Sequence, residues 1–266
     1  MFIRDSSESL SSGGFGIGHL PKVCASQRMH VGRYASENYS LAAMRIFAQG
    51  ASQNVWFASV AEVFRLLEPT QVLSVEELAD AERFKLSSDR DRFLAGRALL
   101  RYVLTQRTGG LVPVTRWQYG QNAHGKLIMD EGLPPFEFNL SHAGTCVAVA
   151  VGEDRLLGID IESVAPEDCG DIVTDVLTEC ELQRLRLFDL DRQRVEFVRI
   201  WTVKEAWAKA LGFGGSIDFR GLEVELGRPQ LAIRNLLDPA QEFGVATMTI
   251  CCASRPYCLS LVTIKK

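Results

Sequence analysis

One order of periodicities recurs along this chain, and it narrows the folds open to it. A run of aromatic and β-branched residues from Val55, VWFASV, reads as a strand. A helix follows at Ser74, where Ser74 and Glu77 form an S-x-x-E capping box and Leu78, Ala81 and Phe84 mark an apolar stripe. A second helix covers 89–106, with Phe93, Leu94, Leu100, Val103 and Leu104 on its core face and Arg90, Arg92, Arg97 and Arg101 on the other. The segments VTRWQYG and KLIM then read as a hairpin, and FEFNLS and TCVAVAV as two further strands with Asn139, Ser141, His142 and Gly144 at the turn between them. The order then starts again. LLGIDIESV is a strand, Thr178 and Glu181 make a second capping box over 178–188, and helical spacing returns over 192–211. The remainder, LEVEL, QLAI, ATMTICCA and YCLSLVTI, is β-rich. Strand, helix, helix and strands, written twice, predict an α+β fold of two related halves, 54–153 and 154–266.

The totals exclude several classes. A hydrophobic content of 47% over 266 residues is ample for a substantial core, and a net charge of -4 gives no reason to expect nucleic acid as a partner. No apolar run approaches the ~20 residues that span a bilayer, so no membrane association is expected. The first 20 residues have no apolar core of signal-peptide length, so no export is expected. Seven cysteines without paired C-x-x-C spacing imply neither a disulfide framework nor a zinc site, which suits a reducing cytoplasm. Cys146, Cys251, Cys252 and Cys258 fall in strand-like runs, where a thiol behaves as a small buried hydrophobe. Residues 1–53 are expected to be a flexible extension with a short helix around 39–47, or the product of a start assigned too far upstream. Gly14, Gly16 and Gly18 lack the flanking strand and helix of a dinucleotide loop and read as linker.

Three stretches carry candidate chemistry. In 200–212, IWTVKEAWAKALG, Glu205 and Lys209 are four apart and project from one helix face. Taken alone, that pair also describes an ordinary charged helix. In 158–162, GIDIE, the alternation of a strand puts Ile159 and Ile161 on one face and Asp160 and Glu162 side by side on the other. Two such carboxylates call for a cation, a shared proton or full solvation, and hard oxygen ligands suit Mg²⁺. In 139–142, NLSH, a polar turn offers N–H groups, a hydroxyl and an imidazole to a phosphate, or a structural histidine capping the turn. His19 and His30 lie in the extension, and His124 stands beside Gly125 and Lys126 in the hairpin turn.

Together, NLSH, GIDIE and WTVKEAWAK in this order resemble a 4′-phosphopantetheinyl transferase of the surfactin-synthetase-activating (Sfp) type. The family pattern, G-[IV]-D-x-E and then [FW]-[STC]-x-K-E-[AS]-x-x-K, is met at every position of 158–162 and 201–209. The turn Gly125-Lys126 and the helix segment RFLAGRALLR are two further landmarks, and the resemblance spans 55–266. It implies two α+β halves related by a pseudo-twofold, with the active site in the cleft between them. It also implies transfer of the phosphopantetheine arm of coenzyme A to a serine of an apo acyl or peptidyl carrier protein, releasing adenosine 3′,5′-bisphosphate. The resemblance implies a monomeric, cytoplasmic, Mg²⁺-dependent enzyme with Asp160, Glu162 and Glu205 as metal ligands. It implies Lys126, Ser141, His142, Lys204 and Lys209 as coenzyme A contacts, with His142 at the 3′-phosphate and Lys209 at the pyrophosphate.

Two positions depart from the family. Leu127 replaces the usual proline after Gly-Lys, and Asp80 stands where relatives carry a base for the 3′-phosphate, so Arg83 or Arg92 is expected to substitute. The proton of the acceptor serine is expected to go to Glu205, to a water, or to Glu181 on the preceding helix. An arginine cluster, Arg184, Arg186, Arg192 and Arg194, is a candidate docking patch for an acidic carrier. The competing readings are another Mg²⁺-dependent phosphotransferase or phosphodiesterase, and a non-catalytic protein that binds carriers.

Overall fold

The segment CVAVAVG is buried at every position, so it needs apolar cover on both faces, and the architecture follows from that need. The computed structural model describes residues 30–33, 42–48, 51–164, 173–213, 217–225 and 232–266. The first sheet is antiparallel and five-stranded, built from β1 (His30–Arg33), β2 (Ala42–Ala48), β3 (Ala51–Ser59), β6 (Glu137–Ala143) and β7 (Cys146–Gly152), in the order β1-β2-β3-β7-β6. The second joins β8 (Arg155–Ser163), β11 (Phe243–Cys252) and β12 (Arg255–Lys265) in the order β11-β12-β8. Two short ladders complete the strands, β4 (Tyr119–Gln121) with β5 (Leu127–Met129), and β9 (Leu222–Glu225) with β10 (Ala232–Asn235).

The sheets pack face to face. Cys146, Ala148 and Ala150 of β7 meet Leu157, Ile159 and Ile161 of β8 and Tyr257, Leu259 and Leu261 of β12 in one shared apolar layer. On the outer face of the first sheet, Val147, Val149 and Val151 pack under α4 (Ser87–Arg107). On the outer face of the second, Val262 and Ile264 pack under α7 (Leu190–Leu211). The result is helix, sheet, sheet, helix, an α+β arrangement in which each half contributes one sheet and one long helix.

Each long helix is preceded by a short one built on the same device. In α3 (Val75–Ala81) the Ser74 hydroxyl accepts from the Glu77 N–H, and Glu77 accepts from the Ser74 N–H. In α6 (Glu179–Leu185), Thr178 and Glu181 do the same. Both glutamates then turn inward to a cation on the long helix: Arg101 donates to Glu77 at 2.8 Å, and Lys204 to Glu181 at 2.7 Å. Two expectations are corrected here. Arg101, expected on the outer face of its helix, is 2% exposed and serves the fold. The helix expected around 39–47 is strand β2, because a short apolar run does not separate helix from strand until it finds a ladder partner, here β3. The expected boundary at residue 53 falls inside β3, and Gly14, Gly16 and Gly18 lie outside the described residues. Residues 153 and 154 form the turn from β7 to β8. Among the described residues no helix is long and apolar enough to cross a membrane.

Candidate active site

The edges of the two sheets meet along β6 and β8, and the meeting explains the NLSH segment. Asn139, Ser141 and His142 are strand residues of β6, not turn residues as expected; the turn proper begins at Gly144, whose φ of 52° lies in the left-handed region. Asn139 and Ser141 are two apart and therefore face the same way, toward β8. There the Asn139 side-chain oxygen Oδ1 accepts the Ile159 N–H at 2.9 Å and the Ser141 hydroxyl accepts the Ile161 N–H at 3.3 Å. Side chains thus satisfy an edge that would otherwise present open donors.

The other face of β8 carries Gly158, Asp160 and Glu162 toward α7. A Cβ at Gly158 would stand 2.0 Å from the Ala206 carbonyl oxygen and 2.4 Å from the Ala210 nitrogen, so only glycine admits the helix this close. That approach brings Lys209 onto Asp160: Nζ donates to Oδ1 at 2.5 Å and to the Ser141 hydroxyl at 3.0 Å, while Ser141 donates to the same Oδ1 at 2.8 Å. Asp160 is 3% exposed, and its Oδ2 has no hydrogen-bond partner.

Around this pair opens a cleft of about 500 Å³ between the halves. Arg92, Phe93, Gly96 and Arg97 of α4 line it from the first half with Ser141 and His142 of β6, and Asp160, Glu162, Trp201, Glu205 and Lys209 line it from the second. Burial pushes the Glu162 carboxyl up to about 7, with the Asp160 charge adding to the effect. Glu205 is likewise raised, first by burial and then by Asp160. Burial pulls the rim imidazole of His142 below its ordinary range and the Arg92 guanidinium adds to it, so His142 is largely neutral at pH 7. Acids raised by one another's charge are stabilised by a cation. Among the described residues no group of three His, Cys, Asp or Glu side chains is placed to hold a metal ion. Mg²⁺ does not ask for one, since it takes one or two carboxylates and fills its octahedron with water and phosphate oxygens. The orphaned, buried Oδ2 of Asp160 fits such an ion.

A family description, "4′-phosphopantetheinyl transferase superfamily", matches residues 156–261, and a second, "4′-phosphopantetheinyl transferase, N-terminal", matches 56–154. The 4′-phosphopantetheinyl transferase psf-1 of Bacillus pumilus is 31% identical over 188 residues, covering 66% of this chain and 78% of that protein. The chain belongs to the 4′-phosphopantetheinyl transferase superfamily. HetI, a 4′-phosphopantetheinyl transferase of a Nostoc strain, is 34% identical over 56% of this chain and 64% of its own length. A holo-(acyl-carrier-protein) synthase from Bacillus anthracis, solved in complex with CoA (3′,5′-ADP), overlaps 42% of this chain and 98% of its own at TM-score 0.37 and 17% identity, too distant to carry an argument.

Of the residues the sequence singled out, Ser141, His142, Asp160, Glu162, Glu205, Lys209 and Arg92 line one cleft. Lys204 does not, which corrects the expectation of a cofactor contact. It is fully buried, donating to Glu181 and to the Val176 carbonyl, both at 2.7 Å. Glu181 is buried with it and also accepts from the Val224 N–H, so it is removed as a candidate base. Arg83 is 81% exposed and paired with Asp80 at 2.9 Å, away from the cleft. Lys126 reaches across to the second half, where Nζ donates to the carbonyls of Ala210 at 3.0 Å and Leu157 at 3.3 Å. Asn122 joins it, donating to the Gly212 carbonyl at 3.0 Å, so the hairpin turn caps the C-terminal end of α7. In the arginine cluster, Arg184, Arg192 and Arg194 each have a carboxylate within 4 Å, Glu223, Glu196 and Asp191, which tempers the patch. Sequence reasoning missed Arg97 as a cleft residue, although Arg92, Phe93, Gly96 and Arg97 fall on one helical face by spacing alone.

Proposed function

We propose that this chain transfers the 4′-phosphopantetheine arm of coenzyme A to a serine of an apo acyl or peptidyl carrier protein. The observation that carries the reading is the acidic wall of the cleft, where Asp160, Glu162 and Glu205 stand with Lys209 between the two halves. The serine oxygen attacks the β-phosphorus of the coenzyme A pyrophosphate, a phosphodiester to the carrier forms, and the bond to the adenosine 5′-phosphate breaks. Adenosine 3′,5′-bisphosphate leaves. Asp160, with Glu162 or Glu205 beside it, would hold Mg²⁺, whose charge would neutralise the pyrophosphate.

The residues of the chain do the remainder. The serine proton goes to Glu205 or to a water beside it in the cleft. Lys209, held 2.5 Å from Asp160, is aimed at the same space and protonates the departing 5′-phosphate. Ser141 fixes both partners of that pair through one hydroxyl. His142 and Arg92 at the rim take the nucleotide end as a neutral donor and a cation. The proposal extends to a monomer, since both walls of the cleft come from one chain. It also extends to the cytoplasm, where Cys146, Cys252 and Cys258 stay reduced inside the core.

The test is direct. Incubation with coenzyme A, Mg²⁺ and a set of apo carrier proteins should add one phosphopantetheine arm, read as a mass increase on the carrier serine. A folded protein that leaves every carrier unmodified sinks the reading.

A further inference from the structure

Behind the acids of the cleft lies a polar cluster that the chemistry above does not use. Ser260 of β12 stands opposite Asp160 of β8, and Cys258 opposite Glu162, so both share the face that carries the acids toward α7. Thr247 of β11 stands opposite Ser260 and shares it too. Thr202 of α7 descends onto this row. Its hydroxyl lies 2.7 Å from the Ser260 oxygen and 3.4 Å from the Cys258 sulfur. The Ser260 hydroxyl donates to Thr247 at 2.9 Å, and the Thr247 hydroxyl lies 3.6 Å from the same sulfur. Four side chains from α7, β11 and β12 thus close a ring.

One sense of donation satisfies every member: Thr202 to Ser260, Ser260 to Thr247, Thr247 to Cys258, and Cys258 back to Thr202. The Arg199 carbonyl, 3.1 Å from the Thr202 hydroxyl, is a second acceptor for its proton. Thr202 and Ser260 have no exposure and Cys258 has 5%, so the ring sits where a directional contact weighs most. Elsewhere the contact between α7 and β12 is apolar, with Val203, Trp207 and Ala210 in one cluster with Val262 and Ile264. Apolar burial has no direction, and it tolerates a helix that slides. Glu205 and Lys209 stand three and seven residues beyond Thr202, so all three ride on one helical face.

We propose that Thr202 is a positioning residue: its hydroxyl, through the ring with Ser260, Thr247 and Cys258, locks α7 along the sheet and sets Glu205 and Lys209 against Asp160. The inference rests on the reading of this cleft as a transferase site. Gly158 lets the helix come close to β8, and the ring fixes where along the sheet it comes to rest. Thr202 itself touches no substrate.

Thr202→Val keeps the shape of the side chain and removes the hydroxyl. The folded variant should lose about ten- to hundredfold in kcat for carrier modification, the scale of a small misplacement, with KM for coenzyme A held to within about twofold. Thr202→Ser, which restores the hydroxyl, should recover kcat. A ring that mattered only to stability would behave differently. Combining Thr202→Val with Ser260→Ala and Thr247→Val leaves no hydroxyl of the ring unpaired, so the melting temperature should return toward that of the wild type while kcat stays low. Recovery of kcat along with the melting temperature, or full kcat in Thr202→Val, overturns the proposal.

Lys209 reports the same displacement without any transfer. In the wild type its ammonium is held by Asp160 and Ser141. Reductive methylation, read by peptide mass, should therefore modify Lys209 several-fold faster in Thr202→Val, and equal rates overturn the proposal. If Thr202→Val has no cooperative thermal transition, Ser260→Ala removes the same 2.7 Å contact from the strand side and carries both comparisons. Failure of both to fold overturns the proposal, because the ring then serves the fold and not the site. A wild-type chain that modifies no carrier loses the transferase reading alone, since the methylation comparison still decides this one. An active chain whose Thr202→Val variant keeps full kcat loses only the positioning role.

Discussion

Asp160 is the residue on which the cleft turns, because one of its oxygens is saturated and the other has nothing. Oδ1 accepts from Lys209 and Ser141, and Oδ2 is buried without a partner. Such an atom costs about 1–3 kcal/mol unless something arrives to meet it. Glu205 and Glu162 stand in the same field, and substitutions at the two separate chemistry from stability. Glu205→Gln should leave the circular dichroism spectrum unchanged and slow carrier modification about a thousandfold, the scale of losing one preorganised electrostatic contact. Glu162 has a folded pKa near 7, above its ordinary value, so its contribution favours the fold below the unfolded pKa and is lost as pH rises through 7. In metal-free buffer, Glu162→Gln should therefore raise the melting temperature at pH 8 and barely change it at pH 4. Equal shifts at both pH values would contradict the assignment of a desolvated, repelled carboxyl.

At the scale of elements, the site depends on how closely α7 lies on β8. Gly158→Ala drives a methyl into the Ala206 carbonyl and should destabilise the protein by about 3 kcal/mol, with transfer lost because Glu205 and Lys209 ride on the displaced helix. Gly96→Ala is the control: its added carbon meets only Leu140 Cδ2 at 3.7 Å, an ordinary contact, and thermal denaturation should change little. The parts legible from sequence were those set by neighbours in the chain. Both capping boxes, the alternation of GIDIE and the i, i+4 pair Glu205 and Lys209 are local relations, and each has the expected geometry. The parts that were not legible needed a partner from elsewhere. Lys204 follows the motif into the site on paper, yet adjacent helical residues point about 100° apart, and its side chain turns to Glu181 instead. Arg97 and Arg101 look alike in sequence, and only the position of Glu77 tells the buried one from the one at the cleft.

Across the whole molecule, the two halves share the apolar layer between their sheets, and neither face of that layer is complete alone. Val55, Ala148 and Ala150 on one side meet Ile159, Leu259 and Leu261 on the other. Calorimetry should therefore record one transition, with calorimetric and van't Hoff enthalpies in agreement. Leu259→Ala, in the middle of the shared layer, should lower that single transition by about 2–5 kcal/mol of stability and not split it. Two resolved transitions would mean that the halves stand independently.

Lys126 and Asn122 sharpen this dependence at one point, since the first half supplies the cap that ends α7 in the second. The turn at Glu153 and Asp154 is where the chain passes from one half to the other, and it is exposed. A chain opened there leaves one fragment with the cap and the other with the helix. Each fragment lacks what the other holds, and the two should recombine to restore the apolar layer, the helix end and the cleft together. That is the physical basis of a split reporter, in which two fused proteins that meet inside a cell are read out as a phosphopantetheine arm on a carrier.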